Sequence, residues 1–207
     1  SSQETVIEIG AGLGALTQKL AKTGARVVAI ELDERLVKVL KEEVGEQENI
    51  EIVQGDALKI DFDKFSEGPY KVVANLPYSS ANPIVRRLLE EDFKSEELLI
   101  MVQKEVAARM AADPGGKEYG ILSIAIQYYA QPQIEFIVPP TAFFPQPEVD
   151  SAVIRLQVRD EPPVKVSDED FFFQVVRAAF QQRRKTIRNA LRKAANIDLS
   201  KEVVDKA

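Results

Sequence analysis

The stretch Asn75-Leu76-Pro77-Tyr78 follows an apolar segment that is typical of a β-strand. The Asn75 side-chain oxygen and the Leu76 carbonyl are adjacent hydrogen-bond acceptors. Pro77 fixes the chain direction and adds no N–H that would compete for them. Tyr78 offers a flat ring on which a base can stack. Two acceptors on the N–H bonds of an exocyclic amine would point its lone pair at an electrophile, although a plain Asn-Pro turn with a core tyrosine is the alternative.

A second group of polar and glycine residues lies at the ends of two earlier strand-like segments. The first segment contains Glu8 and is followed by Gly10, Gly12 and Gly14. Glycines at such a turn let the backbone approach a ligand and let the next helix present its N–H groups. Glu31 ends the second segment roughly 20 residues later, where a carboxylate can accept hydrogen bonds from both hydroxyls of a ribose. This pattern predicts a site for a cofactor that contains a nucleoside.

A third strand-like segment ends at Asp56. Its carboxylate could accept a hydrogen bond from an adenine amino group while the backbone of Ala57 contacts the ring, or it could simply cap a short turn. The glycine spacing differs from the Gly-x-Gly-x-x-Gly of dinucleotide binders, so a nicotinamide dehydrogenase is a less favoured alternative. The three segment ends together resemble the S-adenosylmethionine site of Rossmann-like methyltransferases.

The composition restricts the chemistry further. The chain has no cysteine and no histidine, which excludes zinc sites of the Cys/His type, thiol nucleophiles and histidine acid–base pairs. We therefore expect no metal. The net charge of −6 argues against nucleic-acid binding, yet the segment 177–193 carries seven basic residues and no acidic one. This segment predicts a local RNA-binding surface, with a solvated helix surface as the alternative.

The elements that must position these residues alternate between strand-like and helix-like over the first two thirds of the chain. Such alternation predicts an α/β, Rossmann-like fold with a mostly parallel seven-stranded sheet. Asn82 and Pro83 are predicted to cap and begin the helix after the fourth strand. The segment 159–170 is rich in prolines and charges, so we expect a methyltransferase domain over 1–160 and a partial helical domain over 161–207. No apolar run or leader suggests a membrane protein, and we expect a cytoplasmic monomer.

Several longer segments resemble one family in the order in which they occur. They include "VIEIGAGLGALT", "GDAL", "NLPY", "MVQKEVAARM", "VPPTAFFPQPEVDSAVIRL" and "AFQQRRKTIRNAL". Over nearly the whole chain they resemble the KsgA-type ribosomal RNA adenine N6,N6-dimethyltransferases. The resemblance implies transfer of methyl groups from S-adenosyl-L-methionine to N6 of two adjacent adenosines near the 3′ end of small-subunit (16S-type) rRNA, during ribosome biogenesis. The implied partner is an assembly intermediate of the small ribosomal subunit.

The resemblance and the strand-end pattern together give candidate site residues. The catalytic group comprises the turn and an aromatic residue that closes over the target base: Asn75, Leu76, Pro77, Tyr78 and Phe143. The cofactor-binding group follows the four strand ends: Glu8, Gly10, Gly12, Gly14, Glu31, Leu32, Asp56, Ala57 and Asn75. The RNA-binding group lies in the basic segment: Arg183, Arg184, Lys185 and Arg188. We also expect Arg177, Arg184 and Arg188 to share one face of a helix.

Some observations keep other interpretations open. Ser79 stands where the family usually has a second asparagine, and Phe143 and Phe144 could simply pack between the sheet and a loop. A large-subunit rRNA methyltransferase of the macrolide-resistance type shares the glycine turn and "NLPY", but "FFPQPEVDSA" and "QQRRKT" disfavour it. A methyltransferase-like RNA-binding factor for ribosome assembly, with little catalysis, is the other alternative.

Overall fold

The computed structural model describes residues 4–76, 78–91, 93–181 and 185–192, with only the backbone described for Tyr78 and Ser79. Its strands, in chain order, are β1 Thr5–Ile9, β2 Arg26–Glu31, β3 Ile50–Gln54, β4 Tyr70–Asn75, β5 Ser95–Gln103, β6 Ala130–Val138 and β7 Ser151–Val158. Its helices are α1 Ala15–Ala21, α2 Glu34–Val44, α3 Tyr78–Glu90, α4 Lys104–Met110, α5 Ile121–Tyr129, α6 Glu169–Phe180 and α7 Ile187–Leu191. Short 3₁₀ turns occur at Phe62–Phe65 and Pro140–Ala142.

In the described part of the chain, seven strands form one sheet in the order β3-β2-β1-β4-β5-β7-β6. The first five strands are parallel, whereas β7 runs antiparallel to both of its neighbours. The predicted α/β class with a mostly parallel sheet is therefore confirmed. Because β1 to β5 are parallel, their carboxyl ends share one edge of the sheet, where ligands bind in open α/β folds. Within the described ranges, no helix is long and apolar enough to span a membrane.

Buried aliphatic side chains explain why these segments pack as they do. All five residues of β1 are buried, and so are five of the six residues of β2, as expected for strands covered on both faces. Helix α2 buries one stripe, formed by Val37, Leu40 and Val44. Asp33 caps α2, because its side chain accepts a hydrogen bond from the Arg35 N–H.

Helix α3 begins five residues earlier than predicted. It begins at Tyr78, so the prediction that Asn82 and Pro83 cap and begin it is wrong, and Pro83 lies inside the helix. A proline there removes one helical hydrogen bond. The buried face of α3 already begins at Ala81 and continues through Ile84, Val85 and Leu88. The buried face of the helix therefore includes a residue before Asn82, which a helix starting at Pro83 would have left out.

The basic segment does not form one continuous helix. Helix α6 ends at Phe180, and α7 begins at Ile187 after Thr186, whose hydroxyl accepts a hydrogen bond from the Asn189 N–H. The expected common helix face is therefore wrong for Arg177 and Arg188, which lie on different helices. The third member, Arg184, lies outside the described residues.

Helix α6 packs on α5 through aromatic rings. The Tyr128 ring stacks on Phe172 with ring centres 5.2 Å apart, and Tyr129 stacks on Phe173 at 5.9 Å. The Tyr129 hydroxyl also donates a hydrogen bond to Glu169. These contacts attach α6 to the sheet-bearing part of the chain. The predicted domain boundary at residue 160 falls between β7 and α6 and stays a prediction.

Strand β6 forms one edge of the sheet. Its outer positions carry exposed apolar side chains, Ile134, Phe136 and Ile137. Its pairing with β7 changes register between Ile134 and Phe136, and Pro132 lies near its start. The edge is therefore irregular as well as apolar.

Candidate active site

The strand pairing brings the predicted site segments to one edge of the sheet. Ile9 at the end of β1 pairs with Ile30 of β2 on one side and with Ala74 of β4 on the other. Glu31 of β2 pairs with Gln54 at the end of β3. The residues that follow these strand ends therefore lie together at the side of the sheet where open α/β folds have their ligand crevice.

The glycine turn after β1 lies close against the predicted catalytic turn. Gly10, Gly12 and Gly14 have φ of 77°, 57° and 83°, a backbone conformation that other residues rarely adopt. A Cβ on Gly10 would lie 3.3 Å from Leu76 Cδ2 and 3.7 Å from the Asn75 carbonyl oxygen. The turn therefore needs glycine at position 10 both for its conformation and for its approach to β4.

Glu31 fixes the glycine turn from the end of β2. One carboxylate oxygen accepts a hydrogen bond from the Gly12 N–H at 2.9 Å, and the other accepts from Leu32 and Asp33 N–H at 2.8 and 3.0 Å. A carboxylate has about four acceptor positions, so these bonds leave about one for a ligand. The predicted double contact with ribose hydroxyls stays a prediction, and it would require an oxygen to be shared.

Glu8 lies beneath the same turn and is 2% exposed. Burial raises its pKa to about 7; the nearby Thr17 hydroxyl opposes this shift, and the negative charge of Glu31 adds to it. Within the described residues, neither Glu8 Oε2 nor Thr17 Oγ1 has a hydrogen-bond partner of ordinary geometry. The cost of burying the Glu8 carboxyl group is therefore only partly offset by hydrogen bonds.

The loop after β3 places Asp56 and Ala57 at the crevice. Asp56 Oδ1 accepts a hydrogen bond from the Leu58 N–H at 2.9 Å, so the residue caps a turn. Its other oxygen has a loose ion pair with Lys59 at 3.5 Å and can still accept a hydrogen bond from a ligand. Ala57 is buried, which leaves its backbone as the part that can contact a ring. Both roles considered for Asp56 are therefore compatible in this loop.

Three exposed leucines follow strands β1, β2 and β3, whose ends carry the predicted cofactor residues. Leu13, Leu32 and Leu58 all belong to the segments that come directly after β1, β2 and β3. Exposed apolar side chains near polar groups are typical of a ligand site. Of these three residues, only Leu32 is among the predicted cofactor residues. Leu13 and Leu58 share with it an apolar side chain within a few positions of a strand end, which is the sequence signal for both.

The predicted catalytic residues are described in part. Asn75 ends β4 and is exposed, its backbone is held by pairing with Met101, and Leu76 is buried behind it. Pro77 and the side chain of Tyr78 lie outside the described residues, as does the side chain of Ser79. The exposed Asn75 amide can therefore meet a substrate at the crevice.

Phe143 follows the Pro140–Ala142 turn and is half-buried, with its N–H bonded to the Pro140 carbonyl. Phe144 is fully exposed, so the alternative that it packs between the sheet and a loop is wrong. Phe144 is not among the predicted site residues. A fully exposed phenylalanine next to a predicted base-contacting residue is a further candidate for stacking on RNA.

The predicted RNA-binding residues are described only at Lys185 and Arg188, both exposed, while Arg183 and Arg184 lie outside the described residues. In the described part of the chain, no group of three or more acidic side chains could hold a metal ion. A cavity of about 760 Å³ lies among α3, α5 and α6, with Arg109 and Arg177 at its wall. None of the predicted cofactor residues lines this cavity.

Comparisons with known proteins agree with this arrangement. Residues 1–206 match the family model described as ribosomal RNA adenine dimethylase. The ribosomal RNA small subunit methyltransferase A of Moorella thermoacetica is 54% identical over 198 residues, which cover 91% of this chain and 69% of that protein.

Two crystal structures share the fold over 94% of this chain. One is a dimethyladenosine transferase from Plasmodium falciparum, with a TM-score of 0.82, 29% identity and 70% of that chain covered. The other is the 23S rRNA methyltransferase ErmE, with a TM-score of 0.77, 29% identity and 78% of that chain covered. The similar proteins thus include one named as a small-subunit rRNA methyltransferase and one named as a 23S rRNA methyltransferase.

Proposed function

The chain belongs to the ribosomal RNA adenine dimethylase family, and from this premise we propose that it methylates N6 of two adjacent adenosines near the 3′ end of small-subunit rRNA. Membership confirms the resemblance found in the sequence and makes the chain an RNA methyltransferase. The close approach of the glycine turn to the catalytic turn, where Gly10 leaves no room for a Cβ beside Leu76, is the observation that carries the assignment. It joins a nucleoside-cofactor crevice to the acceptors for an amine.

We propose S-adenosylmethionine as the cofactor because each part of its adenosine would find a matching group at these strand ends. The Gly10–Gly14 turn and Glu31 would hold the ribose side, and Asp56 with the Ala57 backbone would hold the adenine. Leu32 would contact the ring, and Glu8 would support the turn from beneath. When bound, the cofactor supplies an electrophilic methyl group on a sulfonium. The residues themselves position the reacting groups, as expected for a reaction that needs no metal.

The catalytic turn prepares the target amine. The Asn75 side-chain oxygen and the Leu76 carbonyl would accept hydrogen bonds from the two N–H groups of adenine N6. This arrangement would direct the nitrogen lone pair toward the methyl group. After one transfer a single N–H remains, so one acceptor is sufficient for the second transfer. The proton can leave to water after transfer, which suits a chain without histidine.

Tyr78 and Phe143 are proposed to hold the base between their rings. A base taken out of its stack loses stacking energy, and aromatic side chains on both faces offset that loss. The basic segment with Arg183, Arg184, Lys185 and Arg188 would contact phosphates of the RNA. We propose a small-subunit assembly intermediate in the cytoplasm as the partner of a monomer.

The test uses methyl-labelled S-adenosylmethionine with small ribosomal subunits that lack the modification, and with large-subunit RNA in parallel. Nucleoside mass spectrometry should find N6,N6-dimethyladenosine in the small-subunit RNA alone. The similarity to ErmE makes large-subunit rRNA the second candidate substrate, and label found only there would select it. Binding of small subunits without any label would favour an assembly factor with little catalysis.

A further inference from the structure

Arg87 connects two parts of the proposed site that are distant in sequence. It lies on α3, and its Nη1 donates hydrogen bonds to the carbonyl oxygens of Ala57 at 2.8 Å and Ile60 at 2.7 Å. Its Nε donates to Glu91 on the same helix at 2.9 Å. The side chain therefore reaches from α3, which begins at Tyr78 of the catalytic turn and is called the catalytic helix below, to the loop after β3.

The surroundings hold the guanidinium group in one place. The Arg87 side chain is 15% exposed, and its guanidinium carbon lies 5.5 Å from the centre of the Phe62 ring and 5.0 Å from that of Phe93. These two rings meet edge to face at 5.2 Å. A half-enclosed cation with a carboxylate, two carbonyls and two ring faces as partners makes stronger and better-oriented hydrogen bonds than an exposed one.

The loop that Arg87 holds is the adenine end of the proposed cofactor site. From Asp56 to Ile60 its other described hydrogen bonds are local: Asp56 bonds to Leu58, and the Asp56 carbonyl accepts from Lys59 and Ile60 N–H. Gly55, just before this part, donates its N–H to the Glu31 carbonyl of β2 and not to α3. Those bonds set the shape of the turn but not its position relative to α3. The bonds from Arg87 set that position, because they link residues 27 and 30 positions apart in the chain.

We propose that Arg87 is a positioning residue, which fixes the Asp56–Ile60 loop relative to the catalytic helix and thereby sets the affinity for the adenosine part of the cofactor. This inference rests on the proposed cofactor site. Helix α3 starts at Tyr78, next to the catalytic turn, so the adenine loop and the turn keep a fixed relation through this helix. Arg87 contacts neither cofactor nor substrate and acts through Ala57 and Ile60.

The test compares Arg87→Met with Arg86→Met. Arg86 is a matched control because it precedes Arg87 on the same helix and also pairs with a glutamate four residues on, Glu90, but is 66% exposed. Calorimetry with S-adenosylhomocysteine and with adenosine should show both ligands bound about tenfold more weakly by Arg87→Met, as expected for a lost charged hydrogen bond. Arg86→Met should bind both ligands like the wild type.

The Lys variants give a second, milder comparison in case Arg87→Met does not fold. Lysine at position 87 keeps the charge but has one nitrogen in place of the separate Nη1 and Nε donors, so it should hold the two carbonyls less firmly and weaken binding about threefold. Arg86→Lys should change nothing. In methyl transfer, Arg87→Lys should raise KM for S-adenosylmethionine by the same factor and leave kcat at saturating cofactor unchanged.

The outcomes separate this inference from the proposed function. A purely structural role would lower the melting temperature of the Arg87 variants and leave the ligand affinity of the folded protein unchanged, which would overturn the inference alone. An equal loss of ligand affinity in the Arg86 variants would also overturn the inference. Wild-type protein that binds neither adenosine nor S-adenosylhomocysteine would refute the proposed cofactor site, and the inference with it.

Discussion

At the scale of single residues, Asn75 has an exposed amide on a fixed backbone. Replacing it with alanine removes a hydrogen-bond acceptor and little packing, so the fold should persist. We expect Asn75→Ala to reduce methyl transfer by about a hundredfold or more, the usual effect of losing one group that binds the reacting centre. The measurement is incorporation of labelled methyl groups into unmodified small subunits, with circular dichroism as the check on folding.

Asn75→Asp is the control for this prediction, because aspartate keeps a side-chain oxygen at the same place. It should retain much more activity than Asn75→Ala. An alanine variant with most of the wild-type rate would show that the side-chain acceptor is not required and would remove the proposed mechanism.

Glu8 makes a prediction about pH, because its pKa is raised from 4.5 to about 7 in the folded protein. Below about pH 4.5 the carboxyl group is protonated in both states and has no effect. Between about pH 4.5 and 7 the unfolded chain loses this proton and the folded chain keeps it, so stability falls. The loss is complete above pH 7 and amounts to about 3 kcal/mol, from the size of the shift.

Glu8→Gln should remove this dependence. Urea unfolding of both proteins at several pH values should give a difference in unfolding free energy that grows in favour of the variant from pH 4.5 to 7 and is constant above. A difference that does not change with pH would show that Glu8 titrates normally. The comparison isolates Glu8 together with its coupling to Glu31, since the more distant carboxyl groups contribute equally to both proteins.

At the scale of elements, the glycine turn offers a matched pair of substitutions. Gly10 and Gly24 both have positive φ, 77° and 83°, but an added Cβ meets Leu76 at position 10 and nothing within 4 Å at position 24. Each alanine variant should lose roughly 1–2 kcal/mol of stability from the strained backbone. Only Gly10→Ala should also weaken S-adenosylhomocysteine binding and methyl transfer, because it displaces the catalytic turn.

Thermal unfolding and calorimetry check both parts of this prediction. If Gly24→Ala lost cofactor affinity to the same extent, backbone strain would explain the effect, and the contact between Gly10 and Leu76 would have no role. If the two variants were equally stable and only Gly10→Ala bound S-adenosylhomocysteine more weakly, the proposed role of Gly10 beside Leu76 would be supported.

Most elements could be predicted from the sequence, because alternating strand-like and helix-like segments indicate a parallel sheet. The start of α3 and the break between α6 and α7 could not. At α3 the local signal of Asn82 and Pro83 was overruled by the buried face that starts at Ala81. At the break, the spacing of basic residues fitted one helix, but Thr186 caps a second helix.

At the scale of the whole molecule, the charge distribution predicts how the protein binds RNA. The net charge is −6, so phosphate contacts must come from a local basic surface. Replacing Arg183 and Arg184 with glutamate should weaken binding to small subunits at least tenfold and lower the salt dependence of log K by about 2. Affinity for S-adenosylhomocysteine should not change.

The control replaces Lys38 and Lys41 with glutamate. These exposed residues lie on α2, which covers the end of the sheet opposite to β6, and they give the same change in net charge. Filter binding at several salt concentrations compares the two double variants. Equal losses would mean that overall charge, and not the basic segment, governs RNA binding.

The sequence predicts the part of the site that follows from one rule, which is that the carboxyl ends of parallel strands lie on the same side of a sheet. That rule alone predicts that Gly10, Glu31, Asp56 and Asn75 lie around one crevice. Arg87 could not be found in this way, because its role depends on a contact across 30 residues of sequence that no local pattern encodes. The engagement of Glu31 by three backbone N–H groups was equally hidden, since it depends on the path of the glycine turn.

The irregular edge strand β6 bears on how the protein behaves at high concentration. Open strand edges with apolar side chains recruit strands from other copies, which leads to aggregates. Pro132 has no N–H to offer an incoming strand, and the register change between Ile134 and Phe136 breaks the even ladder that such a strand would need. The sheet can therefore keep an apolar border and still resist growth into fibres.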